Sequence, residues 1–291
     1  MDIRYFESLL KVVELGSIAA AARAQNLTPA AVGQRIRALE DHFKVSLLNR
    51  KAHKATPTDA CYRLLPQARD LLKQFHSMAA AIVPEGLAGE FKLGAISTAH
   101  TGLLPGAIRH LKKIAPKLVL KIIPGTSNSL LTDLGAGKLD AAIIVLPPSE
   151  LPRQLTAEVL RKEPLLLISN QARGTTPREK LQQNPYICYS SESWGGQKAL
   201  QFLKDRKIDT EPLCELDGLE AIEKLVHQRM GVTLVPHWSG LDLAKPGLEV
   251  DIIRDKRYTR SIVIVYPNDC SRPRIVAALR ETLWDSTSHE V

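Results

Sequence analysis

The stretch GSIAAAARAQNLTPAAVGQRIRALED, Gly16 to Asp41, constrains the fold of this chain more than any other. Ahead of it, Ile3, Phe6, Leu9, Leu10 and Val13 recur at three- and four-residue spacing, the apolar face of a helix that Gly16 stops. Ser17 is placed to cap a second helix, IAAAARAQ, whose small side chains admit a neighbouring helix closely. Asn26 and Leu27 break it. Thr28 then offers a capping hydroxyl, and Pro29 loses nothing at a first helical position, so a third helix begins there. Its apolar members Ala31, Val32, Ile36, Leu39 and Phe43 share one stripe, leaving Pro29, Ala30, Gly33, Gln34 and Arg37 on the other side.

That second side is small where the helix starts and carries hydrogen-bond donors further on. It suits a helix entering the major groove of DNA, where bulk obstructs approach and Gln and Arg read adenine and guanine edges. A solvated helix face is the alternative. The next segment, VSLLNRKAHKATPT, Val45 to Thr58, alternates apolar and basic residues around a turn near Ala52 and His53, which reads as a two-stranded wing. Arg50, Lys51 and Lys54 can then lie along phosphates, adding affinity without sequence information; a charged loop is the alternative.

The charge supports an anionic partner. The chain has 291 residues and a formal net charge of +8, with 44% apolar and 24% charged residues, as in ordinary globular proteins of two or three cores. Residues 1 to 60 hold nine Lys and Arg against six Asp and Glu, a net of +3, which leaves +5 for the other 231 positions. Cys61, Cys188, Cys214 and Cys270 show neither close pairing nor zinc-ligand spacing, so neither a disulfide scaffold nor a metal site is expected. MDIRYFESLLKVVELG lacks the uncharged apolar run of a signal peptide, and no stretch matches a membrane span. A cytoplasmic protein without membrane contact is the expectation.

With Gly16-Ser17, Ala21-Ala22, Leu27-Thr28, Ala31-Val32, Ile36, Leu39-Glu40 and Val45-x-Leu47-Leu48-x-Arg50 in this order and spacing, the segment closely resembles the winged helix-turn-helix of LysR-type transcriptional regulators. The resemblance implies that Thr28, Pro29, Ala30, Gly33, Gln34, Arg37, Arg50, Lys51 and Lys54 form the DNA-binding surface, with double-stranded promoter DNA as partner. Three residues depart from the family pattern: Gly33 stands where serine is usual, Gln25 where leucine is, and Lys44 where glycine is.

From Thr58, the residues Cys61, Leu64, Leu65, Ala68, Leu71, Leu72, Phe75, Ala79 and Ile82 trace a nearly seven-residue repeat along a helix that cannot bury such a stripe alone. The resemblance implies the family's linker helix, which pairs with a second copy in a homodimer or homotetramer; packing against its own chain is the alternative. Cys61 replaces the glycine of the family's Thr-Glu-Ala-Gly signature, and Pro66 is expected to kink or restart the helix. VPEGLAGE, Val83 to Glu90, reads as a domain boundary.

Beyond it, EFKLGAIST, LLPGAIRHLKKIAP, KLVLKIIPG, SLLTDLGAG and LDAAIIVL alternate strand and helix, which predicts an open, mostly parallel α/β sheet. A second set runs from EPLLLISN to RSIVIVYP and a terminal helix. The pattern resembles the family's effector domain, two α/β lobes like those of periplasmic binding proteins, with Gly94, Leu104-Pro105, Pro116, Gly125, Gly137-x-Leu139-Asp140 and Gly231 to Pro236 as particular matches. The expected organisation is α/β with an N-terminal α-rich winged helix-turn-helix over 1–60, a linker over 58–87, and an effector domain over 88–291. Lobe one takes 88–162 and 266–291, and lobe two 163–265, the crossings near 162 and Tyr266 forming a hinge.

Ligands of such sheets collect beyond strand C-termini. Ser97, Thr98, His100, Thr101, Thr126, Ser127 and Ser190 stand at those exits, where hydroxyls and helix-start N–H groups can hold a polar or anionic small-molecule effector; each singly also fits a cap or turn. Trp194 can stack on an aromatic effector or pack in its lobe, and His100 can be a charged contact or a loop residue.

An enzyme is not expected: there is no Gly-x-Ser-x-Gly elbow, phosphate loop, His-Glu-x-x-His or cofactor fingerprint, and Glu220 with Glu223 reads as a solvated helix face. Two further readings remain open. One is a redox regulator using Cys188 and Cys214; the other is a solute-binding protein or enzyme without DNA binding.

Overall fold

The computed structural model describes residues 2–51, 54–81 and 87–285, and the chain divides into two compact units, broadly before and after residue 87. In the first unit, α1 (Arg4–Leu15), α2 (Ile18–Ala24) and α3 (Pro29–Phe43) precede a hairpin of β1 (Leu48–Lys51) and β2 (Lys54–Pro57), and α4 (Asp59–Ala81) follows.

The local signals act as physical chemistry requires. Gly16 takes φ 63° to end α1. The Ser17 hydroxyl accepts from Ala20 N at 3.4 Å, and that of Thr28 accepts from Ala31 N at 3.2 Å, so each caps its helix. Phe6, Leu9, Val12, Ala21, Ala22, Val32, Ile36 and Leu39 close the core with Leu47, Leu48 and Ala55. Glu40 Oε1 accepts from Leu47 N at 2.9 Å and Leu48 N at 3.2 Å, fixing the wing to the end of α3. Phe43 departs from the expected stripe: it is 39% exposed, because the helix ends there and turns its last ring outward beside His42.

α4 runs through Pro66 as one helix. Its expected repeat resolves into two adjoining stripes. Cys61, Leu65, Ala68 and Leu72 pack into the core of this unit, whereas Leu71 and Phe75 are exposed by 42% and 49%. Burial pushes the Cys61 thiol up to about 11.

The second unit contains β3 (Gly89–Ala95), α5 (Ser97–Thr101), α6 (Leu104–Ile114), β4 (Leu118–Pro124), α7 (Ser127–Gly135), β5 (Ala141–Val145), β6 (Leu155–Glu163), β7 (Leu165–Ser169), α8 (Pro177–Gln183) and β8 (Pro185–Tyr189). α9 (Gly196–Arg206), β9 (Glu211–Leu216), α10 (Leu219–His227), β10 (Thr233–Pro236), β11 (Glu249–Ile252), β12 (Arg260–Pro267) and α11 (Pro273–Asp285) complete it.

The first lobe's sheet has the order β4-β3-β5-β12-β6. In the second lobe β8 and β9 pair, β10-β7-β11 form a trio, and a parallel bridge from Tyr186 to Val232 joins them, giving β9-β8-β10-β7-β11. Each lobe thus repeats one plan: three parallel strands, a fourth running against them, and an edge strand that resumes the first direction. The sheets are mostly parallel, as expected: four strands of each lobe share one direction, and only β12 in one lobe and β7 in the other run against them. The wholly buried strands β5 and β7 lie inside their sheets, which explains their continuous apolar sequences.

The chain leaves the first sheet at Glu163 and enters the second at Leu165, close to the expected crossing at 162. It returns at Arg260 rather than near Tyr266, since β12 pairs with β6 from Arg260 onward.

Candidate functional site

On α3, Thr28, Pro29, Ala30, Gln34 and Arg37 are exposed and Gly33 is half-exposed, while Val32, Ile36 and Leu39 on the opposite stripe are buried. The side expected to face DNA is therefore outward within its own unit. A polar chain steadies the helix behind it: Arg35 Nη1 donates to Ser8 Oγ at 3.0 Å, and Ser8 donates to Gln25 Oε1 at 2.9 Å. Gln25 in place of leucine thus serves as an acceptor in a chain that joins α1, α2 and α3. β1 and β2 form the expected wing, with Arg50 opposite Ala55 and Lys51 opposite Lys54. The expected turn at Ala52 and His53 lies outside the described residues.

In the second unit, a cavity of ≈ 780 Å³ opens where the parallel strands of both lobes end. All of Ser97, Thr98, His100, Thr101, Thr126, Ser127, Ser190 and Trp194 line it. Several of these side chains also have local duties. Thr126 Oγ1 accepts from Ser129 N at 3.2 Å at the head of α7. Ser127 Oγ accepts from Val145 N at 3.1 Å, and His100 Nε2 donates to Ala95 O at 3.1 Å.

The sequence reading missed the centre of this cavity. Arg260, only 3% exposed, donates from Nε to Glu163 Oε2 at 2.6 Å, from Nη1 to Tyr189 OH at 3.2 Å and from Nη2 to Thr98 Oγ1 at 3.3 Å. It stands at one crossing between the lobes and Glu163 at the other, and Thr98 and Tyr189 belong to opposite lobes. Burial works against its charge, but Glu163 and Tyr189 outweigh this and move its proton affinity upward.

Nearby, Thr101 Oγ1 donates to Glu220 Oε1 at 3.1 Å across the lobes. At the end of α5, Gly102 admits no side chain, since a Cβ would come within 1.6 Å of Ser239 Oγ. Glu192 and Asp217 also line the cavity, and burial pushes the Asp217 carboxyl up against the opposing pull of Arg260. The expected solvated pair Glu220 and Glu223 is corrected: Glu220 faces the cavity, and the 8% exposed Glu223 accepts from Lys245 Nζ at 2.7 Å.

Cys188 and Cys214 lie on the paired strands β8 and β9, but on opposite faces. Cys188 packs beside Leu165, Leu167 and Tyr186, and Cys214 beside Leu166, Ile168 and Ile187. Burial pushes the Cys188 thiol up, away from the thiolate. Among the described residues, no His, Cys, Asp and Glu group is placed to hold a metal ion, and no helix is long and apolar enough to cross a membrane.

A winged helix-turn-helix in one unit and a polar cavity between paired α/β lobes in the other define a DNA-binding regulator that responds to a small molecule. The comparisons place it more narrowly. Residues 3–62 match the bacterial regulatory helix-turn-helix protein model of the lysR family, and residues 84–288 match the LysR substrate binding domain. The chain is 28% identical over 244 residues to the DNA-binding transcriptional dual regulator OxyR of Escherichia coli strain K12, covering 81% of this chain and 79% of that protein.

Two solved structures share the fold. A full-length OxyR from Pseudomonas aeruginosa, carrying one cysteine-to-aspartate substitution, gives a TM-score of 0.74 at 22% identity, covering 97% of this chain and 94% of that one. Full-length CbnR complexed with its target DNA gives 0.64 at 20% identity, covering 98% and 100%. The chain belongs to the LysR family and is a transcriptional regulator with a DNA-binding head and a substrate-binding domain.

Proposed function

We propose that the outward side of α3 reads the major groove through Gln34 and Arg37, with Thr28, Pro29, Ala30 and Gly33 keeping the first turns low enough to enter it. Arg50, Lys51 and Lys54 of the wing follow the flanking phosphates. The single observation that carries this reading is the division of α3 into a buried apolar stripe and an exposed donor-bearing flank.

Residues 1–60 act as the head, 58–87 as the linker and 88–291 as the effector domain. The exposed Leu71 and Phe75 of α4 favour pairing with a second copy, giving a homodimer that can assemble into a homotetramer. The chain works in the cytoplasm and carries out no catalytic turnover. A small effector in the cavity lined by Ser97, Thr98, Thr101, Ser190 and Trp194 favours one closure of the lobes and thereby changes the spacing of paired heads on the promoter.

Fluorescence anisotropy of the full chain on duplex DNA, titrated with salt, tests the electrostatic part. Affinity should fall steeply as salt rises, and Lys54→Ala should weaken all sequences alike with a salt slope shallower by about one. Binding indifferent to salt contradicts the assignment.

A further inference from the structure

The cavity assigned to the effector carries an excess of negative charge. Glu192, Asp217 and Glu220 line it from the second lobe, and none of the three forms an ion pair among the described residues. The guanidinium among its lining residues, Arg260, is already neutralised from behind by Glu163 at 2.6 Å. Thr101 gives Glu220 a neutral hydroxyl donor, which satisfies a lone pair and leaves the charge. Burial pushes the Asp217 carboxyl up and Arg260 pulls it down, without an ion pair between them.

Tyr189, whose hydroxyl accepts from Arg260 at 3.2 Å, and Trp194, which packs against the core of the first lobe, also line the cavity. Arg260 has five N–H donors, of which Glu163, Tyr189 and Thr98 engage three, so its remaining donors can take a carboxylate. Ser97 and Thr98 line the cavity with it, Thr98 as one of its bonded partners.

We propose that the effector is a basic amino acid, its carboxylate meeting the edge of Arg260 and its cationic groups lying among Glu192, Asp217 and Glu220. This rests on the cavity being the effector site. A volume of ≈ 780 Å³ accommodates a side chain as long as that of lysine or arginine together with bound water. A dicarboxylate of the same length, by contrast, sets a second anion against three carboxylates and is rejected.

The test is calorimetric titration and thermal shift of the full chain with L-lysine, L-arginine, their decarboxylated diamines cadaverine and agmatine, and glutarate. Lysine or arginine should bind and raise the melting temperature, the matching diamine should bind about tenfold more weakly, and glutarate should not bind. Glu220→Gln and Asp217→Asn, each checked for an unchanged circular dichroism spectrum, should each weaken the amino acid by about tenfold.

Binding of glutarate alone overturns the proposal and leaves the cavity standing as an effector site. Amino-acid binding that both variants leave unchanged places that ligand elsewhere and overturns it too. A response to none of the five compounds also overturns it.

Discussion

Replacing Arg260 by methionine should be among the most damaging single changes in the second unit. The arginine and Glu163 are 2% and 3% exposed at their side chains and meet at 2.6 Å. Without the guanidinium, the Glu163 carboxylate stays buried, with Arg161 Nε at 3.8 Å as its remaining ion-pair partner. Removing one member of such a pair costs about 3–5 kcal/mol, because the other charge is left uncompensated in a low dielectric. Tyr189 OH and Thr98 Oγ1 each lose a donor as well, at about 1 kcal/mol apiece, though the losses overlap.

At roughly 2–4 °C per kcal/mol for a domain of this size, the melting transition should fall by about 6–20 °C at pH 7. Thermal unfolding by circular dichroism, together with a double-mutant cycle, provides the check. Arg260→Met with Glu163→Leu should recover most of the loss, since two apolar groups can replace a buried pair at little cost. If Arg260→Met costs less than about 1 kcal/mol, or the double variant is no more stable than the single, the buried pair does not hold the crossing.

Three further expectations follow from backbone geometry and thiol placement. Lys44 closes α3 with φ 55°, so Lys44→Gly should stabilise the first unit by about 1 kcal/mol in urea unfolding. Gly33 lies within α3 with open space where a Cβ would go, and Gly33→Ala should add up to about 1 kcal/mol by the same measurement. Mild peroxide should leave Cys188 and Cys214 unlinked in intact-mass analysis, because the two thiols lie on opposite faces of their sheet; a bond between them would revive the redox reading.

The first unit was readable because its signals are local. A cap, a proline at the first helical position and a left-handed glycine each act within a few residues, so Gly16, Ser17, Thr28 and Pro29 marked the helices at their true ends. Phe43 misled because its apolar spacing fits the stripe, while the end of α3 turns it out of the core.

In the second unit the strand exits were legible and gathered the candidate side chains to one cavity, but direction was not. The edge strands β6 and β11, with charged sequences LTAEVLRKE and EVDI, lack a clean strand period, and nothing local marks β12 and β7 as the reversed strands. Arg260 was hidden for a different reason. It looks like the polar start of RSIVIVYP, and its partners Glu163, Tyr189 and Thr98 lie 97, 71 and 162 residues away. Only the folded chain makes them neighbours.

The central claim is that the exposed flank of α3 reads bases. Selection of bound duplexes from a random library, performed with the full chain and with Arg37→Ala, tests it most directly. The parent chain should enrich a two-fold related motif, and Arg37→Ala should lose preference at one or two positions in each half while retaining the rest, a loss of about 1–3 kcal/mol in discrimination. An unchanged motif, or an equal loss of affinity for every sequence, would contradict the account.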